Sequence, residues 1–487
     1  MSKSLDFILI KGATVLTVDS TNGNLDNCDI LIQGDRIAAV AQNLPEPSSG
    51  NVTVIDAQDC IAIPGFIDGH HHMWQQLLRG VATDWTLLDY TVQMRSIYGR
   101  LFTPEDVYLS TYIAALSLLN NGVTTVLEHC HITNSPAHAD AAVKALKDAG
   151  IRSTFCYGFY PNPRLPGDVG LPTENFSYSA RVADAARVRK QYFGSNDPAK
   201  ELVTFGIAPN EPEAQSIEQT KREISISREL GARLITMHVA MGPYDRAHRH
   251  VVQQLEDAGV LGPDLVFSHG ASFTGGELEA IRASGAGIVG TPDTELGMGM
   301  GFPIVFKAQD MGCRSCLGID ITSNNGNDFT TQMRLAIQAQ RAQENEEGLP
   351  INIARKASDV LRMGTLGGAE VMRLDDLVGS ITVGKKADIV LVRCDDIESL
   401  PIADPVGAVV FHTSLRHIDT VIVDGKVRKR NGELEVDCSG LKQEIKTRSS
   451  AIRATAATFD LTTVREEWLK RFKGEFSNEA CRDSELI

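Results

Sequence analysis

Short apolar runs alternate with amphipathic stretches through the middle of the chain, and this rhythm predicts its architecture. The runs are bounded by Gly, Pro or polar residues, as buried strands are. One amphipathic stretch begins at Thr103-Pro104, which is a typical helix start, and it ends at Asn121-Gly122. Alternating strands and helices favour a parallel sheet, and eight such units form a (β/α)8 TIM barrel of the α/β class. The expected strands are 61–68, 123–129, 151–157, 203–208, 232–238, 264–269, 286–291 and 315–320.

The two ends of the chain have a different pattern. Residues 6–56 contain short β runs separated by Gly and Asp turns, and similar runs return at 387–392 and 420–423. Such runs are typical of an antiparallel sheet. We therefore predict that the terminal segments pair into one small β-sandwich, with the barrel inserted between them. The expected domains are 1–60 for the first part of the sandwich, 61–372 for the barrel, 373–440 for the second part of the sandwich and 441–487 for a helical tail.

Composition narrows the class of protein. The chain of 487 residues is 43% hydrophobic and 22% charged, as soluble enzymes are. Its formal net charge of −15 would repel a phosphate backbone, so we expect no nucleic-acid partner. No apolar run is long enough to span a membrane, and the odd number of scattered cysteines indicates reduced thiols in the cytoplasm. Cys313 and Cys316 have no second pair, so we expect Cys316 to pack within a strand rather than bind zinc.

A run of three histidines is the strongest chemical signal. His70, His71 and His72 close the first expected barrel strand. Since alternate side chains of a strand face the same way, His70 and His72 can converge while His71 faces away. Three later strands also end in an ionisable residue, namely His238, His269 and Asp320. Imidazole and carboxylate groups at one end of a barrel suit a divalent metal such as zinc or iron.

The motifs resemble the amidohydrolase superfamily over nearly the whole chain. Within it, the chain is most similar to the mononuclear aminohydrolase branch, which includes cytosine, guanine, 8-oxoguanine and S-adenosylhomocysteine deaminases and the triazine hydrolases. The resemblance depends on Pro64-Gly65-Phe66-Ile67-Asp68-Gly69-His70-His71-His72, Asn121-Gly122-Val123-Thr124-Thr125, Leu317-Gly318-Ile319-Asp320, Gly368-Ala369-Glu370, residues 379–390 and Val423-Asp424-Gly425-Lys426.

The resemblance implies a set of metal ligands and catalytic residues. It implies that His70, His72, His238 and Asp320 hold one divalent metal, zinc in the first place and iron as the alternative. His269 and Asp320 would be catalytic, moving protons to and from the water that the metal activates. Binuclear relatives carry a carboxylated Lys on the third or fourth strand. Neither of those strands contains Lys here, so we expect a single metal.

One position departs from the family's pattern. The deaminases have a Glu three residues after the fifth-strand His, and it protonates a ring nitrogen. Met241 stands there in this chain, and methionine cannot donate a proton. Glu128, Glu211 and Asp245 are candidate replacements. The expected substrate-binding residues are Trp74, Gln75, Glu128, His129 and Met241, whereas surface or structural positions are expected for His131, His138, His248, His250, His412 and His417.

The resulting hypothesis is a metal-dependent hydrolase. We expect it to act on a non-peptide carbon–nitrogen bond of a small cyclic or heteroaromatic compound, as an aminohydrolase or deaminase. Because of Met241, the alternatives are hydrolytic displacement of a halide or alkylamine and opening of a cyclic amide. A second alternative is a non-catalytic metal-binding relative. The resemblance and the helical tail also favour a homodimer or homotetramer.

Overall fold

The computed structural model describes residues 6–159, 161–162, 176–245, 248–346, 349 and 351–474. Within these residues, strands and helices alternate through the middle of the chain and strands dominate both ends. The strands are β1 Asp6–Leu16, β2 Asn24–Gln33, β3 Arg36–Ala41, β4 Asn51–Asp56, β5 Cys60–Pro64, β6 Phe66–His71, β7 Val123–Cys130, β8 Arg152–Gly158, β9 Val203–Ala208, β10 Ile235–Val239, β11 Leu265–His269, β12 Gly287–Gly290, β13 Arg314–Leu317, β14 Ile389–Arg393, β15 Ile418–Val423, β16 Lys426–Arg430 and β17 Glu433–Leu434.

The helices occupy most of the connections between barrel strands. They are α1 Leu87–Tyr90, α2 Gly99–Leu101, α3 Pro104–Asn120, α4 Pro136–Ala149, α5 Tyr178–Tyr192, α6 Ile217–Glu229, α7 Val251–Asp257, α8 Gly275–Ser284, α9 Pro292–Gly297, α10 Val305–Asp310, α11 Phe329–Glu344, α12 Ala357–Arg362, α13 Gly368–Val371, α14 Pro405–Gly407, α15 Leu441–Ala456 and α16 Leu461–Gly474. Helix α3 begins with the expected Thr103 cap, whose hydroxyl accepts from the Asp106 amide.

The central sheet is the predicted barrel. Strands β6 to β13 form one parallel sheet in sequence order. The ring closes where the amide of His72 donates to the carbonyl of Asp320 (2.8 Å) and the amide of Asp320 donates to the carbonyl of His70 (2.9 Å). Ile67, Leu127 and Cys316 belong to the buried apolar cluster that fills the barrel. Cys316 therefore packs within a strand, as predicted.

The first expected strand, 61–68, is wrong as a single element. β5 pairs antiparallel with β14, whereas β6 pairs parallel with β7 in the barrel. Gly65 separates them, and a Cβ there would lie 2.1 Å from the Thr124 hydroxyl oxygen. The apolar run is continuous because both strands are fully buried. Burial on all sides removes the polar interruption that would have marked the boundary.

The two ends of the chain pair with each other, as predicted, but they form one nine-stranded sheet that is mixed rather than purely antiparallel, because β1 pairs parallel with β4 and β5. Its order is β17-β16-β15-β14-β5-β1-β2-β3, and β4 pairs with β1. The β5–β14 pair joins the N-terminal half to the C-terminal half. Ile30, Ile389 and Ile422 lie in its buried apolar cluster. The exact domain boundaries given above stay a prediction.

Helices α15 and α16 form the described part of the tail and pack beside residues 87–101. Ala456 and Val464 share a buried cluster with Val92 and Ile97. The Trp468 indole N–H donates to the Ser96 hydroxyl at 3.0 Å. Among the described residues, no helix is both long and apolar enough to cross a membrane.

Candidate active site

Four side chains converge at the carboxyl ends of the barrel strands. His238 Nε2 lies 3.3 Å from His70 Nε2 and 3.2 Å from His72 Nε2. Asp320 Oδ1 lies 3.2 Å from His70 Nε2 and 3.4 Å from His72 Nε2. All four side chains are buried. His71 faces away, since its Nδ1 lies 2.7 Å from Asp68 Oδ2.

The spacing of these donor atoms suits a divalent metal held by sets of three: His70, His72 and Asp320 form one set, and His70, His129 and His238 form the other. Ligands about 2.1 Å from a zinc ion lie about 3.4 Å from one another in a tetrahedron. Four of the six separations among these side chains, 3.2 to 3.4 Å, are close to that value. Three nitrogens and one carboxylate oxygen suit zinc and also iron. The described residues also bring His129 within ligand range of His70 and His238, as an overlapping set of three.

Each of the three imidazoles is held through its other nitrogen. His72 Nδ1 lies 2.7 Å from the His129 carbonyl oxygen, so it donates and leaves Nε2 with its lone pair. His238 Nδ1 lies 2.9 Å from Glu211 Oε1, and His70 Nδ1 lies 2.9 Å from the Ser268 hydroxyl. Such contacts fix the tautomer and the ring orientation of a metal-binding histidine.

The ionisation of these groups also suits metal binding. Burial lowers the pKa of His70 to about 4 and holds the pKa of His72 well below its usual value. Both rings are therefore neutral near pH 7 and can ligate. Burial acts to raise the pKa of Asp320, but the hydrogen bond with His70 outweighs burial and lowers that pKa. A lowered pKa keeps the Asp320 carboxylate ionised.

His269 lies beside this cluster, supported by an acid that sequence reasoning missed. Its ring centroid lies 5.5 Å from that of His238. Its Nδ1 lies 3.1 Å from the Thr291 hydroxyl and 3.5 Å from Glu295 Oε1. Burial alone would lower the pKa of His269, but the hydrogen bond to Glu295 and the charge of Asp320 raise it. The raised pKa and the buried carboxylate make His269 suitable for carrying a proton.

Two site residues have strained backbones. His269 has φ of 76° and Asp320 has φ of 72°, in the left-handed region that side chains other than glycine rarely adopt. Each such residue costs on the order of 1 kcal/mol or more and persists only where the surroundings fix it. The strain places both side chains at the barrel mouth.

His131 is buried within the histidine cluster, so of its two expected positions the surface is wrong and the structural one fits. Its ring stacks on that of His72, with centroids 4.0 Å apart, and the Trp74 indole N–H donates to its Nδ1 at 3.0 Å. His129, in turn, stacks on His238 at 4.4 Å. The strand-end pattern flagged His129, but His131 lies beyond β7, where the strand period no longer applies. The buried Trp74 supports the histidine cluster, and its contact with substrate stays a prediction.

Gln75 and Glu128 are tied to neighbouring groups. Gln75 donates to the Tyr90 hydroxyl and accepts from Ser323, both at 2.6 Å. Glu128 Oε2 accepts from the Met73 amide at 2.8 Å, and burial raises the pKa of Glu128 to about 8. Their roles in substrate binding stay predictions, because both are also needed to hold the segment after β6.

Met241 brings no acid to the site, and a different carboxyl group lies against its segment. Glu213 Oε1 accepts from the Ala240 amide at 2.6 Å, and burial raises the pKa of Glu213 to about 7. Glu211, an expected replacement, bonds His238 instead. Burial acts to raise the pKa of Glu211, but the charge of His238 lowers it. Asp245 accepts from the Ser272 hydroxyl at 3.0 Å. Sequence reasoning missed Glu213, because no strand-end position marks it.

Comparisons with known proteins agree with this geometry. A model of the Amidohydrolase family matches residues 61–428. A 5-methylthioadenosine/S-adenosylhomocysteine deaminase from Thermococcus kodakarensis is 30% identical over 431 residues, covering 86% of this chain and 93% of that protein. A 5'-deoxyadenosine deaminase from Methanosarcina barkeri is 26% identical over 430 residues, covering 86% and 92%.

A solved structure has the same fold. The crystal structure of an adenosine deaminase from Xanthomonas campestris with bound zinc superposes with a TM-score of 0.80 at 23% identity, covering 92% of this chain and 98% of that one. The converging histidines, the barrel and the family match together identify the chain as a member of the amidohydrolase family, a metal-dependent enzyme that hydrolyses carbon–nitrogen bonds.

Proposed function

We propose that the protein removes the 6-amino group from the adenine ring of an adenosine-type nucleoside modified at its 5' position. In this reaction water adds its oxygen to C6, the C6–N bond breaks, and ammonia and a hypoxanthine nucleoside leave. The observation that carries the proposal is the full-length match to deaminases of 5-methylthioadenosine, S-adenosylhomocysteine and 5'-deoxyadenosine. These relatives argue against halide displacement and ring opening.

We propose His70, His72, His238 and Asp320 as the ligands of a single zinc ion. Four close contacts between their donor atoms support this set, and His70, His72 and Asp320 already form a group that could hold one ion. When bound, a divalent metal supplies a water nucleophile near neutral pH and polarises the attacked carbon. The cytoplasmic location and a homodimer or homotetramer stay predictions.

The protein's own residues move the protons in this proposal. Asp320 is ionised and adjacent to the ligand nitrogens, so it accepts the proton of the attacking water. His269, supported by Glu295, holds a proton near the same point. Glu213 is our candidate for the acid that Met241 cannot supply, because its pKa of about 7 leaves it partly protonated at neutral pH.

Deamination tests the proposed function directly. The metal-loaded enzyme is incubated with 5'-methylthioadenosine, S-adenosylhomocysteine, 5'-deoxyadenosine, adenosine, guanine and cytosine, and both ammonia and the product mass are measured. We expect ammonia and hypoxanthine nucleosides from the 5'-modified adenosines, no activity in Asp320→Asn, and full activity in the exposed control Asp257→Asn. Ammonia released only from guanine or cytosine would exclude the adenosine class.

Metal content tests the ligand set independently of activity. We expect about one zinc per wild-type chain by elemental analysis, a large loss in His72→Asn, and no loss in His412→Asn, whose side chain is exposed. Unchanged zinc content in His72→Asn would show that the ligand set is wrong even if deamination is observed.

A further inference from the structure

A cleft on the opposite face of the barrel is lined by an excess of arginines. Its walls come from the segments that precede β9, β10 and β11, so the cleft lies at the amino ends of those strands. His238 and His269 lie at the opposite, carboxyl ends. The cleft encloses about 440 Å³. The charged side chains that line it are Arg189, Arg228, Arg233, Arg373 and Asp264.

Asp264, the acidic residue of the lining, neutralises only one of these four arginines. Arg228 forms a two-point ion pair with Asp264, at 2.7 Å from Nε and 2.9 Å from a terminal nitrogen. Within the described chain, no carboxylate lies within ion-pair distance of Arg189, Arg233 or Arg373. The lining therefore carries three surplus positive charges in a protein whose net charge is −15.

The surplus arginines repel one another and keep unused donors. Arg233 donates to the carbonyls of Met372 and Arg373, and Arg189 donates to the carbonyl of Phe193. The Nε atoms of Arg189 and Arg233 are buried, and neither has a hydrogen-bond partner among the described residues. Burial and the charge of Arg373 lower the pKa of Arg233 to about 10. A buried donor without a partner is rare in folded proteins unless an unseen group satisfies it.

We propose that this cleft binds a small phosphate-type anion. A guanidinium presents parallel N–H groups that match the oxygens of phosphate, and three of them can neutralise its charge. The cleft is open to solvent and has room for a phosphate or diphosphate group. Because it lies at the other end of the strands from the histidine cluster, this site is separate from the catalytic one and does not depend on the proposed deamination.

Calorimetric titration with inorganic phosphate tests the site. The metal-loaded wild type, Arg373→Gln and Arg314→Gln are titrated at low ionic strength, since salt screens such binding. Arg373 is exposed in the lining, and Arg314 is an equally exposed arginine at the start of β13, outside the cleft. Loss of a charge-assisted contact predicts binding at least about tenfold weaker in Arg373→Gln and unchanged binding in Arg314→Gln.

Two results would overturn the proposal. One is the absence of measurable binding to wild type, and the other is equal binding by wild type and Arg373→Gln, which would locate the anion elsewhere, for example at the metal. If the thermal midpoint shows that Arg373→Gln is misfolded, Arg189→Gln takes its place with the same expected loss.

Discussion

At the residue scale, the contact between Glu211 and His238 fixes the ring of a proposed metal ligand. Both Glu211 oxygens lie near His238 Nδ1, at 2.9 and 3.1 Å. The charge of His238 outweighs burial and lowers the pKa of Glu211, so the carboxylate stays ionised. An ionised carboxylate accepts hydrogen bonds and cannot donate a proton near neutral pH. Glu211 therefore orients a ligand rather than replacing the acid missing at Met241.

Glu211→Gln tests this orienting role. A carboxylate that supports a metal-binding histidine contributes about 10- to 100-fold to metal affinity. We expect a loss within that range, because the amide is a weaker acceptor for the His238 N–H. Competition with a zinc chelator measures it, and the control is Glu218→Gln on an exposed helix surface. Equal affinities in the two variants would contradict the role.

Glu213 sets the expected pH dependence. To protonate the substrate, its carboxyl group must carry a proton, and burial raises its pKa to about 7. Activity should therefore be present below pH 7 and decline as the pH rises through that value. In Glu213→Gln we expect kcat to fall about a hundredfold, as for loss of a general acid, with no decline near pH 7.

The full pH profile of kcat distinguishes the loss of a general acid in Glu213→Gln from a structural effect of the substitution. Glu128→Gln is the matched comparison, since Glu128 is another candidate acid that is buried with a raised pKa, and it bonds the Met73 amide. Persistence of the pH 7 decline in Glu213→Gln would assign the acid to another group.

At the element scale, the segment after β6 joins the tail to the site. Residues Thr91–Tyr98 form a π-helix, a type of helix often found at functional sites. Tyr90, at the end of α1, accepts from Gln75 near the barrel mouth. Val92 and Ile97 pack against α15 and α16. The tail therefore supports the segment that leads to the site, although it supplies none of the converging histidines.

Trp468→Ala should weaken that support. It removes both the indole packing and the hydrogen bond to Ser96, whereas Trp468→Phe removes the hydrogen bond and keeps most of the aromatic packing. We expect Trp468→Ala to lower the thermal midpoint and raise KM more than Trp468→Phe, because most of the stabilisation comes from apolar burial. A KM equal to wild type in Trp468→Ala would show that the tail does not influence the site.

The barrel could be predicted because the alternation of strands and helices, and the polar residues that end the strands, are visible in short stretches of the sequence. His70, His72, His238 and Asp320 each close an apolar run, so their convergence follows from the fold. Glu295, Ser268 and His131 were not found, since their contacts with His269, His70 and His72 depend on packing between distant segments. The boundary at Gly65 was missed for a similar reason. The apolar run is divided there only because β5 and β6 pair with strands of different sheets.

At the scale of the whole molecule, a buried ion pair connects the barrel to the terminal sheet. Arg152, at the start of β8, donates to both oxygens of Asp388 at 2.9 and 3.0 Å and to Asp424 at 2.9 Å. Arg152 and Asp388 are almost completely buried. Lys386 contributes a further contact with Asp424 at 3.2 Å. The two sheets thus share one buried cluster of charges.

Breaking this pair should destabilise the protein far more than breaking an exposed one. Arg152→Met leaves Asp388 buried without its main partner, which costs about 3–5 kcal/mol of unfolding free energy. Arg416→Met breaks the exposed pair with Glu398 and should cost about 1 kcal/mol or less. Adding Asp388→Asn to Arg152→Met should recover part of the loss, because the uncompensated charge is removed. Urea unfolding curves measure all three variants. Equal costs for Arg152→Met and Arg416→Met would mean that the barrel and the terminal sheet are held together by apolar packing rather than by this cluster.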